Sequence, residues 1–144
     1  MKKQTAIGII SALLILLFGY TGLSKLLRLK VFSKDMYNQP FPSWLSETIT
    51  YTLPPLECVI ALLLFFDTTR RLALWASGVL MGTFTLYTAL VLAHIFSRTP
   101  CGCGGVIRNL SWPQHMVFNI AFTALTIFAL VMQKKTQPEN ISRP

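Results

Sequence analysis

A chain of 144 residues that is 53% hydrophobic and only 12% charged has the length of one domain, and its apolar excess excludes an ordinary soluble globular protein. The formal charge of +8 does not mark a nucleic-acid binder, because the basic residues stand at the ends of apolar segments rather than in one patch interleaved with aromatics. They read instead as flanking charges that meet the headgroups of a lipid bilayer.

Lys2 and Lys3 precede the first apolar segment, which predicts a membrane helix over about residues 6–28, close to the ~20 residues a span requires. A signal peptide begins in the same way. The apolar run exceeds an h-region and no Ala-x-Ala-like cleavage site follows, so the helix is read as retained. Gly19, Gly22 and Ser24 stand where a neighbouring helix can approach closely. Lys25 must either snorkel to the interface or pair with an acid inside a bundle. Residues 29–45 are expected to form a polar interfacial loop, interrupted by Pro40 and Pro42, with a short turn of helix from Val31. Its Phe32, Met36, Tyr37, Phe41 and Trp44 suit a cap at headgroup level, for which membrane anchoring is explanation enough.

A second helix is predicted over about 46–67, with Ser46 as N-cap and Glu47 in its first turn. Pro54 and Pro55 should kink it and free the carbonyls near Thr50 and Tyr51. Glu57 falls halfway through the apolar run, where an ionised carboxylate is expensive, so it is protonated or paired. Lys25 is the first partner to name and His94 the second. A structural ion pair and a proton relay explain Glu57 equally well. Cys58 reads as a buried, inert thiol.

Asp67 to Arg71 form a turn, and a third helix follows over about 72–97, with Gly78 and Gly82 in a small-xxx-small pattern that favours close helix packing. His94, near its end, either activates a neighbouring thiol or sits as an ordinary interfacial histidine. Ser111, Pro113 and Gln114 have the spacing of a capping box opening a fourth helix over about 112–133. His115 lies in its first turn, close to the preceding loop, and Asn119 shares its face. The tail over 136–144 is polar and expected to be disordered. The chain is thus expected to be all-α, one integral membrane domain built as a four-helix bundle.

Between the third and fourth helices, loop 98–111 places Cys101 and Cys103 either side of Gly102, flanked by Pro100, Gly104 and Gly105. These neighbours forbid a regular helix and let the two sulfurs meet. A disulfide across so short a span departs from relaxed geometry, which is the mark of labile, oxidising pairs. As a staple it would remove little chain entropy. The leading reading is a redox-active dithiol. A permanent staple, two idle thiols, and a metal site from Cys101, Cys103, His94 and His115 remain alternatives, the metal site having suitable ligand types but no recognisable spacing.

Four spans place both termini on one side and the cysteine loop on the other. Lys2, Lys3, Arg70, Arg71, Lys134 and Lys135 hug helix ends on the first side, whereas Arg28, Lys30, Lys34, Arg98 and Arg108 fall on the second. The first is read as cytoplasmic, which puts the cysteines in the periplasm, where disulfides persist.

Gly19-Tyr-Thr-Gly-Leu-Ser-Lys25-Leu, Pro55-Leu-Glu57 and Pro-Cys101-Gly-Cys103-Gly, in that order and spacing, resemble the DoxX-like superfamily, and within it the MauE-type redox-associated membrane proteins. The resemblance covers nearly the whole chain. It implies a four-helix bundle of the bacterial inner membrane whose cysteine pair, matched by Cys101 and Cys103, takes part in thiol-disulfide chemistry. Glu57 matches the helix-two acid and Lys25 the helix-one lysine. Where that branch is expected to carry Cys-x-Cys-Phe-Gly, Gly104 stands here and opens the loop. The implied partner is a periplasmic thioredoxin-like or other membrane-associated protein, and the implied cofactor, resting on the resemblance alone, is a quinone. A non-catalytic subunit that docks another protein, with a structural disulfide, is the alternative function.

Overall fold

The computed structural model describes residues 2–97 and 110–141, with side chains described as far as Lys135. Cys101 and Cys103 therefore lie outside the described residues. Every described element is helical: α1 (Lys2–Leu27), α2 (Leu29–Tyr37), α3 (Ser43–Phe65), α4 (Arg70–Leu92) and α5 (Trp112–Ile141). Four of them, α1, α3, α4 and the Trp112–Lys135 part of α5, are long and apolar enough to span a bilayer.

The bundle is arranged for an apolar solvent. Leu16 and Leu27 are 70% and 77% exposed, while Thr50, Glu57, Ser77 and Thr126 are wholly buried. Leu14, Phe18, Ile60, Leu64, Leu74 and Met81 fill the space between these polar groups. Most of the interior hydroxyls return a bond to the preceding helical turn: Thr50 to Ser46 O, Ser77 to Ala73 O and Thr126 to Phe122 O, at 2.7–2.8 Å. Hydroxyls satisfied in this way can be buried without an interhelical partner. The most extensive packing is of α1 on α3 and of α4 on α5, with α1 also touching α5.

At Gly22 α1 approaches α3 closely. A Cβ there would stand 2.8 Å from Cys58 Sγ and about 3.0 Å from backbone atoms of Pro54 and Cys58. Gly78 meets α5 at ordinary distance, but Gly19 and Gly82 have no neighbour at Cβ range among the described residues. The Gly78-xxx-Gly82 pattern thus contributes at one position and does not make the expected close helix seam.

The polar connection expected over 29–45 is in fact largely a helix. Arg28 (φ −120°, ψ 41°) breaks α1 just short of the expected boundary, and α2 then lays Phe32 and Met36 against the bundle while Lys30 and Lys34 face outward. Amphipathicity, with no glycine or proline before Pro40, explains why these residues wind into a helix. Phe32 and Met36 are accordingly core residues rather than lipid anchors; Tyr37 and Trp44 are exposed.

Pro42, not Ser46, occupies the N-cap of α3. Proline is tolerated there because no helical donor is required of it. The Ser46 hydroxyl instead donates to Met36 O at 3.1 Å, satisfying a carbonyl in the last turn of α2. At the other end of the chain α5 continues to Ile141, through residues expected to be disordered; adding to an existing helix carries none of the cost of nucleating one.

α4 stops at Leu92, five residues before its expected end. Ile95 N–H bonds Leu90 O and His94 N–H bonds Val91 O, while His94 takes φ 54°. This is a Schellman termination with histidine where glycine is the usual residue. A side chain in the left-handed region is strained. His94→Gly is therefore expected to raise stability by about 1 kcal/mol, read as a higher unfolding midpoint in detergent; a lower midpoint would mean that the imidazole makes contacts worth more than the strain.

Candidate functional site beside the cysteine segment

The described stems of the cysteine segment converge on Tyr87, near the end of α4. Its ring lies 5.3 Å from Phe41, 6.0 Å from Phe96 and 6.2 Å from Trp112, centroid to centroid. Phe96 belongs to the stem leaving α4, Trp112 opens α5, and Phe41 comes from the α2–α3 connection. Tyr87 thus holds both stems against the α2 end of the bundle. Its hydroxyl donates a short hydrogen bond to Oε1 of Gln39, which is 2% exposed and donates in turn to Asp35 O at 3.3 Å. Aromatic contact fixes the stems, and the buried amide fixes Tyr87.

α5 begins as the capping-box spacing predicts. Gln114 Oε1 accepts from Ser111 N–H at 2.9 Å, and His115 N–H closes the first turn on Ser111 O. His115 is buried against Trp112, with ring centroids 6.3 Å apart. One turn on, Asn119 donates to Thr88 Oγ1 at 3.1 Å, and Thr85 and Thr123 share a 3.2 Å hydrogen bond across the same α4–α5 seam. His94 is exposed at the other stem.

Below this cap is the buried ion pair. Lys25 Nζ lies 2.7 Å from Glu57 Oε1, with the two side chains 9% and 1% exposed. The ammonium also stands over the Phe32 ring at 5.3 Å and the Phe84 ring at 5.8 Å. One cation therefore contacts α1, α2, α3 and α4 together. The aromatic faces add cation–π attraction where water is excluded. Glu57 Oε2 has no hydrogen-bond partner among the described residues. Of the two partners expected for Glu57, the structure selects Lys25, and His94 is not in the pair. Cys58 is a half-buried free thiol beside Gly22.

Over residues 3–132 the chain matches the family described as Methylamine utilisation protein MauE. It belongs to the MauE family. Nothing matches it among the curated proteins or the solved structures. The membrane-spanning bundle, the buried Lys25–Glu57 pair and the cap around Tyr87 are thus features of a MauE-family membrane protein. Gln39, Tyr87, Thr88 and Phe84 were not marked by the sequence: Tyr87 sits in an apolar run like any lipid-facing aromatic, and Gln39 in a proline-bearing connection like any solvated amide.

Proposed function

We propose that this protein exchanges disulfide equivalents across the membrane surface through Cys101 and Cys103. What carries the reading is the Cys-x-Cys pair, set between α4 and α5 in a bundle of the MauE family. A thiolate of a periplasmic thioredoxin-like partner attacks one sulfur of the Cys101–Cys103 disulfide and forms a mixed disulfide. The partner's second thiolate resolves it. The partner leaves oxidised, and Cys101 and Cys103 hold the two electrons as a dithiol. Cys101 and Cys103 then return to the disulfide by losing two electrons and two protons, for which a membrane quinone, implied by the family resemblance, would supply the oxidant. The likeness to the DoxX-like superfamily, the cytoplasmic termini and the placement in a bacterial inner membrane belong to the same proposal, as does the service of this oxidation to methylamine utilisation.

In that scheme His115 and His94, at the two stems, tune the thiolates of Cys101 and Cys103, and Lys25 with Glu57 braces the bundle or relays protons. Exposed Tyr37 and Trp44 at the same end favour a second reading, in which the protein docks a partner and the disulfide is structural. The two readings separate in cells carrying Cys58→Ser. A partner lacking its own resolving cysteine should accumulate as a mixed disulfide with this protein, visible on non-reducing gels, and the double Cys101→Ser, Cys103→Ser change should abolish it. Complex formation that survives the double change, with no mixed disulfide formed by the wild-type pair, would overturn exchange in favour of docking.

A further inference from the structure

On the outer face of α1, Tyr20, Leu23, Ser24 and Leu27 line a groove of about 340 Å³ that ends at Arg28. Their spacing puts them on one helical face, and Tyr20, Leu23 and Leu27 are 55–77% exposed. The groove therefore presents a mainly apolar face of α1 to the bilayer and a guanidinium at its end. Arg28 is the residue at which the chain leaves the span for α2, so it stands at headgroup depth. α2 adds Lys30 and Lys34 on its outward face. Among the described residues none of these three cations is in an ion pair. The acid of the same stretch, Asp35, is 8% exposed and turned into the protein. A shallow, mainly apolar groove on one helix, ending at positive charge with no ion-pair partner among the described residues, matches a molecule with a hydrocarbon chain and an anionic head.

We propose that this groove binds an anionic phospholipid, one acyl chain lying along Leu23 and Leu27 and the phosphate held by Arg28, with Lys30 and Lys34 adding to the field. Arginine suits the task because its planar fork can bind two phosphate oxygens together. A basic residue near an anionic membrane surface contributes about fivefold in affinity. Without the groove, the same charges would give only a diffuse preference for anionic surfaces.

The test uses the full-length protein in mixed micelles with equal phosphatidylglycerol and phosphatidylethanolamine of identical chains, reading retained lipid by native mass spectrometry. The wild type should retain phosphatidylglycerol preferentially. Arg28→Gln should lower that preference about fivefold, and Arg28→Lys should restore part of it. Ser24→Phe, which fills the groove and leaves every charge in place, should lower retention of both lipids. An unchanged preference in Arg28→Gln would overturn the proposal, as would unchanged retention in Ser24→Phe. Loss of a soluble acidic peptide rather than of lipid in Arg28→Gln would assign the charges to an acidic protein partner and overturn it equally. Arg28 is exposed, so its variants fold whatever the outcome at Ser24.

Discussion

Lys25→Met is expected to destabilise the folded protein by about 3–5 kcal/mol, the usual cost of removing one partner from a buried ion pair. The loss is large because the ammonium is shared. It neutralises Glu57 at 2.7 Å and lies over Phe32 and Phe84, so its removal weakens the joint between four helices. It also leaves a carboxyl wholly inside the bundle without its cation. Replacing both partners by apolar residues of similar volume behaves differently, because no charge is then stranded. Lys25→Met with Glu57→Leu should recover most of the stability lost in the single variant. Reversible unfolding in mixed detergent measures both. A double variant as unstable as the sum of the singles would show that each residue acts alone, through packing, and that the pair is not the joint.

The second large effect is expected at Gly22. A methyl group there would meet Cys58 Sγ at 2.8 Å, which a side-chain turn can relieve, and backbone atoms at about 3.0 Å, which it cannot. Gly22→Val must push α1 from α3, and overpacking of this kind costs about 1–3 kcal/mol. Gly22 is one turn from Lys25, and Cys58 adjoins Glu57, so the displacement also lengthens the ion pair. The two costs are therefore coupled: Gly22→Val should be much less harmful in the Lys25→Met, Glu57→Leu background than in the wild type. Equal cost in both backgrounds would separate the close approach from the ion pair. Gly82→Val, with no neighbour at Cβ range among the described residues, is the control.

These two sites illustrate what could be read from the residues beforehand. An acid midway along an apolar run has few ways to exist, and Lys25 was the lysine near enough to a helix end to reach it; the bilayer makes that inference strong because an unpaired charge is so costly there. The four spans follow from the same severity, and the Ser111–Gln114 cap from a local pattern that needs no tertiary contact. Residues governed by contacts far apart in sequence were less legible. Gly22 and Gly82 both carry the small-residue signal, but only the opposing backbone decides which one is a contact. Ser46 is a good N-cap by type and is used as a donor to α2 because Pro42 already starts the helix. Tyr87 gathers Phe41, Phe96 and Trp112 from three separate stretches, a convergence no local pattern announces. His94 looked like the last turn of a helix and proved to be its left-handed stop.

Redox exchange by Cys101 and Cys103 is most directly tested by titrating the pair in isolated membranes, in a Cys58→Ser background, with a membrane-impermeant alkylating reagent that adds mass to each free thiol. A reversible two-thiol shift between about −120 and −270 mV, where disulfide oxidoreductases poise, and reached from the periplasmic side, is the predicted result. A pair that stays oxidised below about −300 mV, as structural disulfides do, would contradict it and leave a docking subunit with a fixed disulfide.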